Sequence, residues 1–191
     1  MTPRKTIVAL GANLPSAFGA PARTLSISLR MLQAPAFVLE RCSGFVRSAA
    51  VPAGSGPDFV NAVASFETDL EPENILAHLH DVETRLGRTR HARWSARSID
   101  LDLVAVGDLV LPDHATVQAW MDLTRERQLT DIPDRLILPH PRLQDRAFVL
   151  GPLAEIAPDW VHPLTGRTAR DLRDALPPDE IAALTALHRG D

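Results

Sequence analysis

Between Glu83 and Asp102 the chain reads ETRLGRTRHARWSARSIDLD. From Thr84 to Ser98 there are five arginines (Arg85, Arg88, Arg90, Arg93, Arg97) and no acid. Arginine presents a planar fork of donors suited to phosphate or carboxylate, so this is a local cationic patch in a chain whose overall charge is negative. Most runs of like charge are solvated faces. Two features raise this one above that reading: Trp94 lies inside it, and two carboxylates follow at once. Asp100 and Asp102 are two apart within the apolar alternation Ile99, Leu101, Leu103. On a strand both carboxylates then share one face while the three apolar side chains enter the core. Paired carboxylates repel unless a cation or proton lies between them, and Asp is a poor strand former. Magnesium with a polyphosphate resolves the repulsion, because Mg²⁺ takes one or two carboxylates and keeps water and phosphate oxygens. The alternative is the ordinary polar face of an amphipathic strand. Carboxylates for metal with arginines for phosphate are the equipment of phosphoryl transfer. There is no GxxxxGK[ST] and no GxGxxG, which excludes a P-loop enzyme and a typical protein kinase.

The elements that must hold these residues follow from hydrophobic period. Thr6 to Leu10 is a buried strand closed by Gly11. Ala22, Leu25, Leu29 and Leu32 mark a helix that Pro35 ends. Phe37 to Arg47 reads as a strand, and Val51 to Pro57 as a loop dense in breakers. Phe59 to Thr68 alternates, with Val60, Ala62, Ala64 and Phe66 on one face and Phe59 with Asn61 on the other. Pro72 opens a helix striped by Ile75, Leu76, Leu79, Val82 and Leu86, and Gly87 caps it. Ile99 to Ala105 is the next strand. Strand, helix, strand, strand, helix, strand is the split βαβ order, an α+β sandwich with a mostly antiparallel sheet. Beyond it the pattern predicts a short strand at Leu109 to Leu111 and a polar insertion over about 112–135 with one short helical piece near Trp120, Leu123 and Leu129. Two C-terminal helices are expected near Thr168 to Leu176 and Asp179 to His188.

With 191 residues, 45% of them hydrophobic and 23% charged, the chain fits one ordinary domain over 1–191. Twenty basic and 24 acidic side chains leave a net charge of −4, which argues against a general nucleic-acid coat. Cys42 is the single cysteine, so an intrachain disulfide and a cysteine metal cluster are excluded. No apolar run approaches 18 residues, and Ile7 to Ala12 is too short for a signal peptide. A soluble, cytoplasmic protein is the expectation.

ALGANL (9–14), GPDFVNAV (56–63), LGRTRHARWSARSIDLDL (86–103) and LPHPRLQDRAFVLGPLAEIAPDW (138–160) stand in an order that resembles the 6-hydroxymethyl-7,8-dihydropterin pyrophosphokinase family. The resemblance spans most of the chain. It implies a ferredoxin-like βαββαβ core with extra strands and C-terminal helices. The implied reaction transfers the β,γ-pyrophosphate of ATP to the pterin hydroxymethyl group and releases AMP. It implies that Asp100 and Asp102 hold two Mg²⁺ ions with ATP. Arg88, Arg90 and Arg97 match arginines near the triphosphate. Glu83, Arg93, Trp94, His140 and Arg146 match residues of the nucleotide side, with Arg93 and Trp94 on a loop, about Arg88 to Ala96, expected to close over MgATP. Phe59 and Phe148 match the aromatic walls of the pterin site and Asn61 the amide that reads its edge. Backbone around Ser48, Ala49 and Val51 is expected to line it. The implied partners are ATP and hydroxymethyldihydropterin, with no nucleic acid, no membrane and a monomeric chain.

Val46-Arg47-Ser48-Ala49-Ala50 replaces the Tyr-Arg-Thr-Pro-Pro common in the family, and His91 stands where a lysine is common. The remaining histidines, and Arg127, Arg135 and Arg142, read as structural or surface residues. Two other classes share this outline: a catalytically inactive relative, and a ferredoxin-like RNA-binding module. The latter needs exposed sheet aromatics in a motif that this chain, with no tyrosine, lacks.

Overall fold

The apolar run Thr6–Leu10 forms the middle of strand β1 (Arg4–Ala12). In the computed structural model, which describes residues 2–50, 54, 56–88 and 97–187, this strand sits inside an antiparallel sheet. Helix α1 (Pro21–Leu32) follows, then β2 (Val38–Cys42), β3 (Val46–Ser48) and β4 (Phe59–Thr68). Helix α2 (Pro72–Arg85) leads to β5 (Asp100–Val106). The sheet runs β5-β1-β4, with β2 and β3 both on the far side of β4 and a terminal strand β6 (Thr185–Ala186) outside β3. This is the expected βαββαβ core with an added strand, and the fold is ferredoxin-like.

The sheet separates two cores because side chains alternate across it. On one face Val8, Leu10, Val60, Ala64, Phe66, Leu101 and Leu103 meet Leu25 and Leu32 of α1 and Ile75, Leu79 and Val82 of α2. On the other, Ile7, Val63 and Val104 meet Val149, Leu150 and Leu153 of helix α5 (Ala147–Ile156). Only part of that second face is covered, and the site lies on the rest.

Four expectations need correction. The predicted strand over Phe37 to Arg47 is two strands on one line, because Ser43 bulges out: its N–H donates to the Val63 carbonyl (2.9 Å) and its hydroxyl accepts the Val63 N–H (3.0 Å). The predicted strand at Leu109 to Leu111 reduces to a single bridge, Leu111 to Leu138. The 112–135 insertion holds two short helices, α3 (His114–Met121) and α4 (Arg125–Thr130), rather than one. At the C-terminus, α6 (Ala169–Asp174) and α7 (Pro178–Ala182) are shorter than predicted, since Pro177 and Pro178 separate them and the chain then turns into β6. Helix α5 has no periodic signal: it is apolar on nearly every side and carries Gly151 and Pro152, which read as breakers.

Candidate active site

Strand register assembles the site. Asn61 of β4 stands opposite Gly11 of β1, and Gly11 stands opposite Asp100 of β5. Val63, Ala9 and Asp102 form the next such row. Directly paired residues project to the same face, so Asn61, Gly11, Asp100 and Asp102 share the partly covered face. Ile99, Leu101 and Leu103 are buried in the core opposite, as the alternation predicts. Gly11 keeps this row open: a Cβ there would lie 3.4 Å from Asn61 Oδ1 and 3.9 Å from Phe59 Cδ1.

The two carboxylates are held differently. Asp100 receives Arg97 at 2.6 Å and Arg88 at 2.8 Å. Asp102 is more exposed and receives Arg146 at 3.4 Å. Burial first, then the neighbouring Asp102, raises the Asp100 carboxyl above its ordinary range, while Arg97 and Arg88 pull it back. Among the described residues no three His, Cys, Asp or Glu side chains gather into a metal cage. Two all-oxygen donors on an open face fit Mg²⁺, which completes its shell with water and phosphate oxygens.

Arg88 is aimed from below. Gly87, at φ 81°, ends α2 and turns the chain so that Arg88 N–H donates to the Glu83 carbonyl at 3.0 Å. The buried Glu83 carboxylate accepts from Arg88 and from the Leu101 N–H, the latter at 2.8 Å. Burial pushes Glu83 up to about 7, against the pull of the Leu101 N–H and Arg88. Within the chain it thus joins Arg88 at the end of α2 to the start of β5, beside Asp100. Asn13, buried just past β1, has no partner that its place in the sequence predicts. Its Oδ1 accepts the Arg97 N–H at 2.7 Å and its Nδ2 donates to the Pro57 carbonyl at 3.1 Å. Its own N–H donates to the Arg97 carbonyl at 2.9 Å. It therefore ties the approach to Asp100 to the approach to Phe59. Its place in ALGANL, a polar residue closing an apolar strand, was the available signal.

His140 docks on the sheet edge. An extra residue at Val104 bulges β5, and the Val104 carbonyl accepts the His140 N–H at 2.8 Å. Nδ1 accepts the Arg142 N–H at 3.1 Å. Burial first, then Arg146 and Arg142, pushes His140 down to about 3, so the ring is neutral and its proton sits on Nε2. His140, Asp102 and Arg146 line one small cavity with Ala9 and Val104. Arg142, read as a surface residue from the sequence, is half-buried beside His140, to whose Nδ1 its N–H donates.

On the same sheet face, half-buried Phe59 and buried Asn61 lie beside β3, where Asn61 Nδ2 donates to Ser48 Oγ at 2.9 Å. Phe148 enters from the first turn of α5, packed on the core beneath that face, with the Arg146 guanidinium 5.7 Å from its ring centre. Ala49 is exposed just beyond β3. Val51, Arg90, His91, Arg93 and Trp94, and with them most of the loop expected to close, lie outside the described residues. The structure thus brings Glu83, Arg88, Arg97, Asp100, Asp102, His140 and Arg146 together, with Ser48, Phe59, Asn61 and Phe148 on the same side of the sheet.

Comparison with known proteins places this arrangement. A protein of Synechocystis named 2-amino-4-hydroxy-6-hydroxymethyldihydropteridine pyrophosphokinase is 40% identical over 130 residues, 68% of this chain and 56% of its own length. One of the same name from Haemophilus influenzae is 33% identical over 157 residues, 82% of this chain and 83% of its own. The crystal structure of Plasmodium falciparum HPPK-DHPS wild type superposes with a TM-score of 0.62 over 90% of this chain and 44% of that one, at 12% identity, a likeness of fold. Among the described residues no helix is long and apolar enough to cross a membrane. The profile of one family, 7,8-dihydro-6-hydroxymethylpterin-pyrophosphokinase (HPPK), matches residues 7–158, which takes in every site side chain assembled above and all strands but β6 and the first three residues of β1. With both the carboxylate row and the aromatic–amide row inside that match, the chain belongs to the HPPK family.

Proposed function

We propose that this chain transfers the β,γ-pyrophosphate of ATP to the hydroxymethyl group of 6-hydroxymethyl-7,8-dihydropterin, releasing AMP. The observation that carries the reading is the cross-sheet row Asn61–Gly11–Asp100. It sets an aromatic and amide surface two strand spacings, about 10 Å, from paired carboxylates ringed by arginines. Acceptor recognition and phosphate handling therefore share one face, with a glycine between them.

Phe59 and Phe148 stack on the pterin, and Asn61, its Nδ2 held by Ser48, turns its Oδ1 towards the ring's donors. Stacking and hydrogen bonding fix the hydroxymethyl group towards Asp100, which converts a bimolecular encounter into a positioned one. Asp100 and Asp102 would hold two Mg²⁺ ions, which when bound neutralise phosphate charge and favour the ionised hydroxyl. Arg88, Arg97 and Arg146, now on the carboxylates, are within reach of phosphate oxygens and stabilise charge that develops on them. His140 donates from Nε2 and does not act as the base, since Nδ1 already accepts the Arg142 N–H. In the reaction the hydroxyl oxygen bonds to the β-phosphorus, the bond from that phosphorus to the α,β-bridging oxygen breaks, AMP leaves with the electron pair, and the hydroxyl proton is released.

The test is AMP release from MgATP with and without the hydroxymethyl pterin. AMP should form only with the pterin, in equal amount to a pyrophosphorylated product. Formation of ADP, or AMP release indifferent to pterin, would sink the reading.

A further inference from the structure

We propose that β6 is a positioning strap for the acceptor side of the site, an inference that rests on the proposed pterin chemistry. The strap lies beyond residues 7–158, the stretch matched by the family profile. β3 is only three residues long, yet it supplies the Ser48 hydroxyl that holds the Asn61 amide. On its other side β3 pairs with β6, Val46 opposite Ala186 and Arg47 opposite Thr185. The Leu187 N–H adds a bond to the Phe45 carbonyl at 2.9 Å, and the Leu187 side chain packs on the main core. The row through Asp100, Gly11 and Asn61 therefore continues to Val46 and ends on Ala186.

The strap is anchored at its entry as well. A Cβ on Gly151 of α5 would fall 3.0 Å from Leu184 Cδ1, so glycine at that point lets Leu184 close on the helix that carries Phe148. Without β6, β3 would lie at the sheet edge with its outer backbone N–H and C=O groups unpaired, held by its three pairings to β4 alone. Ser48 would then drift, and the Asn61 amide would lose the acceptor that fixes its rotation. The carboxylate side, two strands away and bonded to α2 and β1, does not depend on this pairing.

The experiment uses the full chain with two substitutions. Leu187 and Phe45 are a hydrogen-bonded pair, so Thr185, two residues back and opposite Arg47, is of the same kind. Thr185→Pro therefore removes a ladder N–H, and Leu187→Ala removes the apolar anchor while keeping the backbone. Each should raise the pterin KM about tenfold, the loss of roughly one well-placed hydrogen bond, and leave the ATP KM and kcat within about twofold. In a Ser48→Ala background Thr185→Pro should add no more than about twofold, because the strap acts through that hydroxyl. Unchanged pterin KM in both variants, or a lowered Tm with both KM values moving alike, would overturn the strap. If the wild-type chain releases no pterin-dependent AMP, the pyrophosphokinase reading fails by itself. Amide hydrogen exchange then decides the strap: faster exchange at Ser48 and Asn61 in both variants supports it, and unchanged exchange overturns it.

Discussion

Replacing Asp100 by asparagine separates the chemistry of the carboxylate pair from its structural part. The side chain is about a fifth exposed and takes two guanidiniums, Arg97 at 2.6 Å and Arg88 at 2.8 Å. Ion pairs with that much solvent contact contribute at most about 1 kcal/mol each. Against them stand burial and the neighbouring Asp102, which together raise the Asp100 carboxyl above its ordinary range. The sign follows: a carboxylate whose folded pKa is raised contributes stability below its unfolded pKa and loses it as pH rises through the folded value. At neutral pH the ionised form is therefore no net support, and Asp100→Asn should change stability by no more than about 1 kcal/mol. Turnover should behave otherwise. One unit charge about 4 Å from another, at the effective dielectric of a protein surface, is worth about 4 kcal/mol, and losing that from the transition state means roughly a thousandfold. The assay is pyrophosphoryl transfer at saturating Mg²⁺, beside thermal melting of the same preparation. Near-normal turnover would remove Asp100 from the metal site. A melting loss equivalent to 3 kcal/mol or more, about the cost of breaking a buried pair, would refute the electrostatic argument instead.

Three further outcomes are expected. Phe59→Ala should weaken pterin binding by about 1–3 kcal/mol, the worth of stacking on an aromatic, and leave ATP binding unchanged; titration with each substrate checks this, and equal losses would mean a purely packing role. His140, pushed down to about 3, contributes stability that is fully present above its ordinary value of 6.5 and is lost as pH falls from there towards 3. His140→Gln should accordingly flatten the fall of Tm with acid below 6.5, and an unaltered slope would count against a neutral imidazole at this position. Replacing residues 113–135 by a short turn should retain turnover, because Leu111 and Leu138 close the base of the insertion with bonds of 2.8 and 3.0 Å. It should lower stability by about 1–3 kcal/mol through loss of the fully buried Val117, and abolished turnover in a folded variant would place the insertion in the site.

Period-two alternation was enough to put Asp100 with Asp102 and Phe59 with Asn61 on shared faces, because side-chain direction along one strand is a local property. The helices α1 and α2 and the Gly87 cap were legible for the same reason: stripes and caps are written within a few residues. Which strand faces which was not. That Asn61 and Asp100 flank Gly11 depends on register across three strands, and register is set by the packing of both sheet faces together. Helix α5 escaped a reading by period because burial on nearly all sides erases the polar stripe that marks a surface helix. Asn13 has no partner written in the sequence, and Arg142 reads there as a surface residue, because their partners, Arg97 and Pro57 in one case and His140 in the other, are chosen by the fold. A short polar side chain can serve any backbone group brought to it, so its type in the sequence names no partner. The sequence by itself determined the kinds of groups available and the strand faces they share. The tertiary structure decided which of them meet, since hydrogen bonds and ion pairs form only between groups that packing brings within about 3 Å of one another.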